Sequence, residues 1–188
     1  MTNMTRRRVL SGALATVGAT ALAGCSNAVG SNGAATIDAR VESTMDYLYS
    51  NYPATAQLRD KAAGVLVMPL ITKAALGAGG SYGRGALLVQ DSTVDYYSAA
   101  EASLGFQLGA QQYAHVLFFM TNNSLYDFRS SPGWTAGADI EYALNDRGQN
   151  LSATTITQLS PVIGVVFGQA GLLAGASVEG TKYTRIIP

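Results

Sequence analysis

The chain has 188 residues, with 12 Lys+Arg against 12 Asp+Glu, 13% charged and 48% hydrophobic, too apolar and too weakly charged for a mostly disordered polypeptide. Beyond Arg8 its basic residues are scattered, so it lacks the one-sided basic surface that holds a nucleic-acid backbone, and no nucleic acid is expected as a partner. A single Cys excludes an intrachain disulfide framework and a Cys-cluster zinc site, and a single His excludes HExxH-type centres; no metal and no cofactor are expected.

Arg6, Arg7 and Arg8 stand immediately before an apolar, Gly/Ala-rich run from Val9 to Ala23, with no acidic residue before Asp38. This is the organisation of a signal peptide over residues 1–24. The run of about 15 residues falls short of the roughly 20 that span a bilayer, which disfavours an uncleaved membrane helix. Leu22-Ala23-Gly24-Cys25 resembles a bacterial lipobox, in which small residues precede a Cys that becomes the lipidated first residue, and Cys25 is the only Cys in the chain. Arg6 and Arg7 resemble the pair of a twin-arginine export signal. Cleavage before Cys25 removes three arginines and leaves 9 basic against 12 acidic residues, a net charge of −3. The expectation is a palmitate-bearing lipoprotein of the bacterial cell envelope, held on membrane lipid through Cys25. Ser26, rather than Asp, after that Cys implies by the same resemblance the outer membrane, facing the periplasm or the surface.

Residues 25–35 then carry the lipidated Cys and a small, polar, glycine-containing stretch, a flexible tether with a reach of roughly 17 Å. A domain over 36–188 follows. Ile37, Val41, Met45, Leu48 and Tyr52 recur at helical spacing, with Thr36 able to cap the helix and Pro53 to stop it. A second short helix is expected from Ala54 to Ala63, opened by Pro53 and closed by Gly64. Beyond it come short apolar or alternating runs punctuated by glycine (GVLVMP, AALGAGGSYGRGALLVQ, VDYYSAA, SLGFQLGAQ, HVLFFM), which predict antiparallel strands. Thr121 or Asn122 caps a short helix that carries Leu125 and Phe128 toward the core and ends before Pro132. Strand texture returns at Trp134 to Leu144 and Val162 to Ile187.

Val162 to Val178 contains no charge and two GxxxG spacings, Gly164/Gly168 and Gly171/Gly175, a packing pattern known from membrane helices. Gln169 near its middle and the β-branched cluster Val162, Ile163, Val165 and Val166 favour instead a buried strand, a glycine-rich turn around Gly168 to Gly171, and a second strand.

Ala63 to Pro69, Lys73-Ala74, Gly79 to Gly85, Tyr96-Tyr97-Ser98 and Ala102 to Gln111, followed by Trp134 to Ala138, Pro161 to Ile163 and Leu172 to Lys182, resemble in order and spacing the SYLF lipid-binding domain. The resemblance covers residues 54–188. It implies a compact domain that binds membrane lipid; eukaryotic members bind phosphoinositides, and some also contact actin. In those members an amphipathic N-terminal helix and basic residues engage the bilayer. The corresponding helix here is acidic on its polar side, with Asp38, Glu42 and Asp46 against Arg40, whereas a helix lying on anionic lipid places Lys and Arg beside its apolar face. What carries over is a generic head-group or apolar-ligand site.

Lys73, Arg84, Lys182 and Arg185 lie in the glycine-rich blocks, where missing side chains let a head group approach the backbone and a cation meet its phosphate. The competing reading is that they are ordinary exposed strand or loop cations. The glycines of Gly77 to Gly85 lack the GxGxxG and GxxxxGK[ST] spacings of phosphate loops; they mark bulges, curvature or close packing, with Tyr82 and Trp134 as candidate covers. His115 has no GxSxG elbow to accompany it and is structural or solvated. Asp139 with Glu141 has the form of a carboxylate pair, and solvated alternation accounts for it as well.

The fold class expected is α+β: two N-terminal helices, one short inserted helix, and a glycine-rich antiparallel sheet free to curl toward a barrel. The function expected is a non-catalytic, lipid-anchored envelope protein whose domain binds phospholipid or another amphiphile. The alternative is a structural or interaction lipoprotein that binds a protein or cell-wall partner, and a hydrolase ranks third. No particular protein partner is indicated.

Overall fold

The computed structural model describes residues 32–137, 140–142, 160–168 and 178–188, with 75–78, 103–110 and 140–142 described by backbone alone. The expected signal segment, Arg6, Arg7, Cys25 and most of the expected tether lie outside these residues, as do Asp139 and, beyond Gly168 itself, the glycine-rich turn expected around Gly168 to Gly171.

Helix α1 spans Gly33–Asn51 and buries Ile37, Val41, Met45 and Leu48, the expected stripe, each side chain contributing roughly 1.5–3 kcal/mol by its removal from water. It begins three residues before the expected cap. Asn32 stands at the N-cap and Thr36 lies in the first turn, its hydroxyl donating to the Asn32 carbonyl at 2.8 Å. Helix α2, Ala54–Lys61, opens on Pro53 and stops two residues short of the expected Ala63. Helix α3, Asn122–Ser130, is capped by Thr121, whose hydroxyl accepts from the Ser124 N–H at 3.1 Å.

The expected series of short strands is instead two long ones, β1 (Gly64–Val89) and β2 (Ser92–Phe119), paired antiparallel from Gly64↔Phe119 to Val89↔Ser92. Gln90 and Asp91, both with positive φ (51° and 58°), make the two-residue turn between them, the backbone sense that suits a tight hairpin. Strands β3 (Trp134–Thr135), β4 (Ile140–Tyr142), β5 (Val162–Phe167) and β6 (Lys182–Ile186) complete the described sheet. β5 pairs with the last residues of β2 (Ala114–Phe119), and β6 with Tyr96–Ala100 of β2. β4 runs parallel to β5, the one departure among the described pairs from an antiparallel sheet. Val162 to Phe167 is a fully buried strand, which excludes a membrane helix through that segment. No helix among the described residues is long and apolar enough to cross a membrane.

The β1–β2 ribbon cannot be straight. Tyr97 and Phe119 lie near opposite ends of β2, which at about 3.3 Å rise per residue would be roughly 70 Å apart in a straight strand, yet their rings sit 4.7 Å and 4.8 Å from Phe128 of α3. Register shifts at Met68/Ile71, Leu76/Gly77 and Leu87/Leu88 supply local bends. Glycine supplies the closest approach: a Cβ on Gly85 would fall on the Val67 carbonyl, and one on Gly83 on the Leu70 carbonyl and Ile71. The second half of β1 therefore packs backbone-close against its first half, and the sheet curls into a half-barrel.

Both faces are buried. Val65, Val67, Val116 and Phe118 pack with α1 and α2 on the outer side. Leu66, Met68, Leu117 and Phe119 alternate with them and turn inward to Tyr97, Phe128, Trp134 and Tyr183. Trp134 joins that inner aromatic cluster, 5.4 Å from Phe128, while Tyr82, expected as a glycine cover, is 55% exposed.

Gly85→Ala should destabilise the domain by about 3 kcal/mol or more, because a backbone carbonyl cannot rotate aside as a side chain can. Gly137→Ala, whose added carbon meets nothing within 4 Å among the described residues, should stay within about 0.5 kcal/mol of the parent. Urea unfolding monitored by circular dichroism measures both; equal stability of the two variants would contradict the close-approach account.

Candidate functional site

A β-bulge and a helix face of small residues create an open groove. The register shift between Met68 and Ile71 throws Pro69 and Leu70 out of the ladder, so α1 cannot close down on them. Ala35, Thr36, Ala39, Arg40, Ser43 and Thr44 of α1 line the resulting space with Pro69 and Leu70, about 730 Å³ in volume. Ser43, Thr44 and Pro69 also border a second space of about 200 Å³ that ends on Tyr47, Ala114 and Phe167. The Tyr47 and Phe167 rings stack there, 6.0 Å apart with 13° between their planes. The combined groove runs from an exposed cation, Arg40, to an apolar end.

The acidic side of α1 is partly consumed in holding this helix to the sheet. Asp38 accepts from the Tyr96 hydroxyl at 2.8 Å and from the Thr93 hydroxyl at 3.1 Å. The Tyr96 phenol is pushed above its usual pKa, by burial first and by Asp38 second.

The four cations read from the sequence do not form one constellation. Lys73 pairs with Glu101 at 3.3 Å, and Ser81 donates to the same carboxylate at 3.3 Å. Arg84 stands opposite Ser98, which stands opposite Thr184, on the half-buried outer register. Lys182 is on that register too, in an exposed row with Tyr82, Ala100 and Thr135, and its stem covers Gly133. Arg185 sits on the opposite register, paired with Tyr97 in the ladder.

Arg185 belongs to a cluster that sequence reasoning missed. Asp95, only 14% exposed in its side chain, receives Arg129 on Oδ2 at 2.9 Å and Arg185 on Oδ1 at 3.5 Å. Arg185 Nη2 also donates to the Arg129 carbonyl at 2.9 Å. Burial raises the pKa of the Tyr97 hydroxyl beneath them, and Arg185 opposes that shift. Asp95 and Arg129 lie 34 positions apart and no spacing motif links them; only the bend of β2 and the docking of α3 bring them together.

His115 is structural, not solvated. It is 1% exposed, its Nε2 lies 2.8 Å from the Tyr183 hydroxyl, and its Nδ1 has no hydrogen-bond partner among the described residues. Burial pushes its pKa down to about 3, so the ring is neutral at physiological pH. No group of three or more His, Cys, Asp or Glu among the described residues is placed to hold a metal ion.

The geometry defines a class: an α+β half-barrel, bent by glycine, with an open helix–sheet groove and a paired-arginine cluster on its surface. Residues 100–185 match the family model Ysc84, described as "Las17-binding protein actin regulator". Across that segment the chain is similar to the SYLF (Ysc84) family. No curated protein matches the chain significantly.

Because His115 has a lower pKa folded (about 3) than its ordinary 6.5, the unfolded chain takes up the proton first as the pH falls. The stability linked to neutral His115 is therefore complete above pH 6.5 and is lost toward pH 3, by up to about 1.4 kcal/mol per pH unit. His115→Gln, which keeps a polar partner for Tyr183, should flatten the fall in thermal midpoint between pH 7 and pH 4.5. Parallel profiles for the two proteins would contradict the buried, neutral assignment.

Proposed function

We infer that this is a non-catalytic, lipid-anchored protein of the bacterial envelope whose SYLF domain binds phospholipid or another amphiphile. The observation that carries the domain's part is the groove between α1 and the Pro69–Leu70 bulge. Its cationic mouth at Arg40 and apolar end at Tyr47 and Phe167 match the two ends of an amphiphile: a polar or anionic head beside a guanidinium, and an acyl chain along alanine, proline and aromatic carbon. The family's lipid-binding character supports the same reading. The lipobox-like Leu22-Ala23-Gly24-Cys25 supports the anchor, with each buried acyl CH₂ contributing about 0.8 kcal/mol to membrane retention. With a mature charge of −3, long-range attraction to anionic bilayers is weak, and binding is local and modest.

The family description, naming a protein that is bound, favours a second reading in which the anchored domain docks a protein partner.

One experiment addresses both parts. Labelled palmitate should enter the wild-type chain and not the Cys25→Ser variant. In the Cys25→Ser background, Ser43→Trp should fill the groove from an exposed helix position and weaken binding to phosphatidylglycerol vesicles about tenfold, a loss of about 1.4 kcal/mol, with the thermal midpoint nearly unchanged. Undiminished binding by Ser43→Trp would reject the groove. Failure of the parent to bind any phospholipid would favour the protein-docking reading.

A further inference from the structure

The Arg129–Arg185 cluster has the chemistry of an oxyanion receptor. Asp95 engages Nε and Nη2 of Arg129 and Nε of Arg185, and the Arg129 carbonyl takes Nη2 of Arg185. A guanidinium carries five N–H donors in a rigid fork, so the described contacts leave donors on both side chains. These contacts also hold the two forks in place, so little rotamer freedom remains to be lost on binding. Two cations against one carboxylate leave a local excess of one positive charge.

The surroundings point the cluster at a ligand. Arg129, Arg185, Tyr126, Ser130, Asn122 and Leu125 line an open depression of about 350 Å³. The arginine side chains are 41% and 52% exposed, whereas Asp95 lies below them at 14%. Tyr126 is 70% exposed at the same depression, which Leu125 also lines. Two anchored guanidiniums beside an exposed phenol suit a phosphate group at the boundary between water and acyl chains.

We propose that Arg129 and Arg185, held as a pair by Asp95, form a phosphate-binding site at the α3–β6 edge of the domain. As to its biological source, a phospholipid head group, the proposal rests on the lipid-binding reading above, but the site is separate from the α1 groove. Free phosphate and a phosphodiester head group present the same oxygens and are distinguished by test.

The full chain carrying Cys25→Ser is titrated with inorganic phosphate, and separately with phosphatidylcholine vesicles with and without phosphatidic acid. Arg129→Lys with Arg185→Lys keeps both charges and the partner of Asp95 but removes the forks; it should weaken phosphate-dependent binding about tenfold at unchanged thermal midpoint. Binding to phosphatidic acid vesicles beyond that to inorganic phosphate assigns the site to a head group, and equal binding assigns it to free phosphate. Equal binding by the double lysine variant, or no phosphate-dependent binding by the parent, overturns the proposal. Ser43→Trp serves as the separating control: loss of binding in the lysine variant but not in Ser43→Trp sustains this site while rejecting the groove.

Discussion

The close crossing of β1 over itself is the constraint on which the rest of the molecule depends. Gly83 and Gly85 lie against the backbone of Val67 to Ile71, at a separation no side chain fits. That contact folds a ribbon of two strands longer than 25 residues each into a half-barrel. Its inner face can then be filled by Tyr97, Phe128, Trp134 and Tyr183, while its outer face remains available to α1 and α2. A straight hairpin of the same sequence would expose both rows of apolar side chains and leave Arg129, on the helix that follows the far end of β2, nowhere near Asp95.

The same bend has a consequence for the surface. Pro69 and Leu70 leave the ladder next to the crossing, and proline has no N–H to give to it; the groove under α1 follows. The helix is held over that gap by Asp38, so a carboxylate that would repel anionic lipid is already engaged by Tyr96 and Thr93. The groove and the arginine pair thus arise on different elements, α1 with β1 in one case and α3 with β6 in the other. They can be tested apart.

Much of the architecture was legible in the sequence. The stripe Ile37, Val41, Met45 and Leu48 identified α1 because only a helix brings residues at that spacing onto one face, and the pair Thr121 or Asn122 marked the start of α3, where Thr121 is the cap. Strand count was not legible: glycine clusters at Gly77 to Gly80 look like chain breaks, and only pairing with residues 102–105 shows that the strand continues through them. The hairpin turn was hidden because Gln90-Asp91 lacks the Asn-Gly signature and adopts positive φ all the same. The resemblance to SYLF proteins held in the family match over residues 100–185. The site was least legible. Composition picks out cations but not register, and one residue of register decides whether a strand cation faces Tyr97, as Arg185 does, or the exposed row of Tyr82 and Lys182.

The central claim, that the domain itself meets lipid at the groove and the arginine pair, is tested most directly by hydrogen exchange on the full Cys25→Ser chain with and without phosphatidylglycerol vesicles. The account predicts slowed exchange in residues 33–47 of α1, around Leu70, and in residues 122–130, with the row of Tyr82, Ala100 and Lys182 unaffected. Slowing confined to that row, or no change anywhere in the presence of bound vesicles, would contradict it.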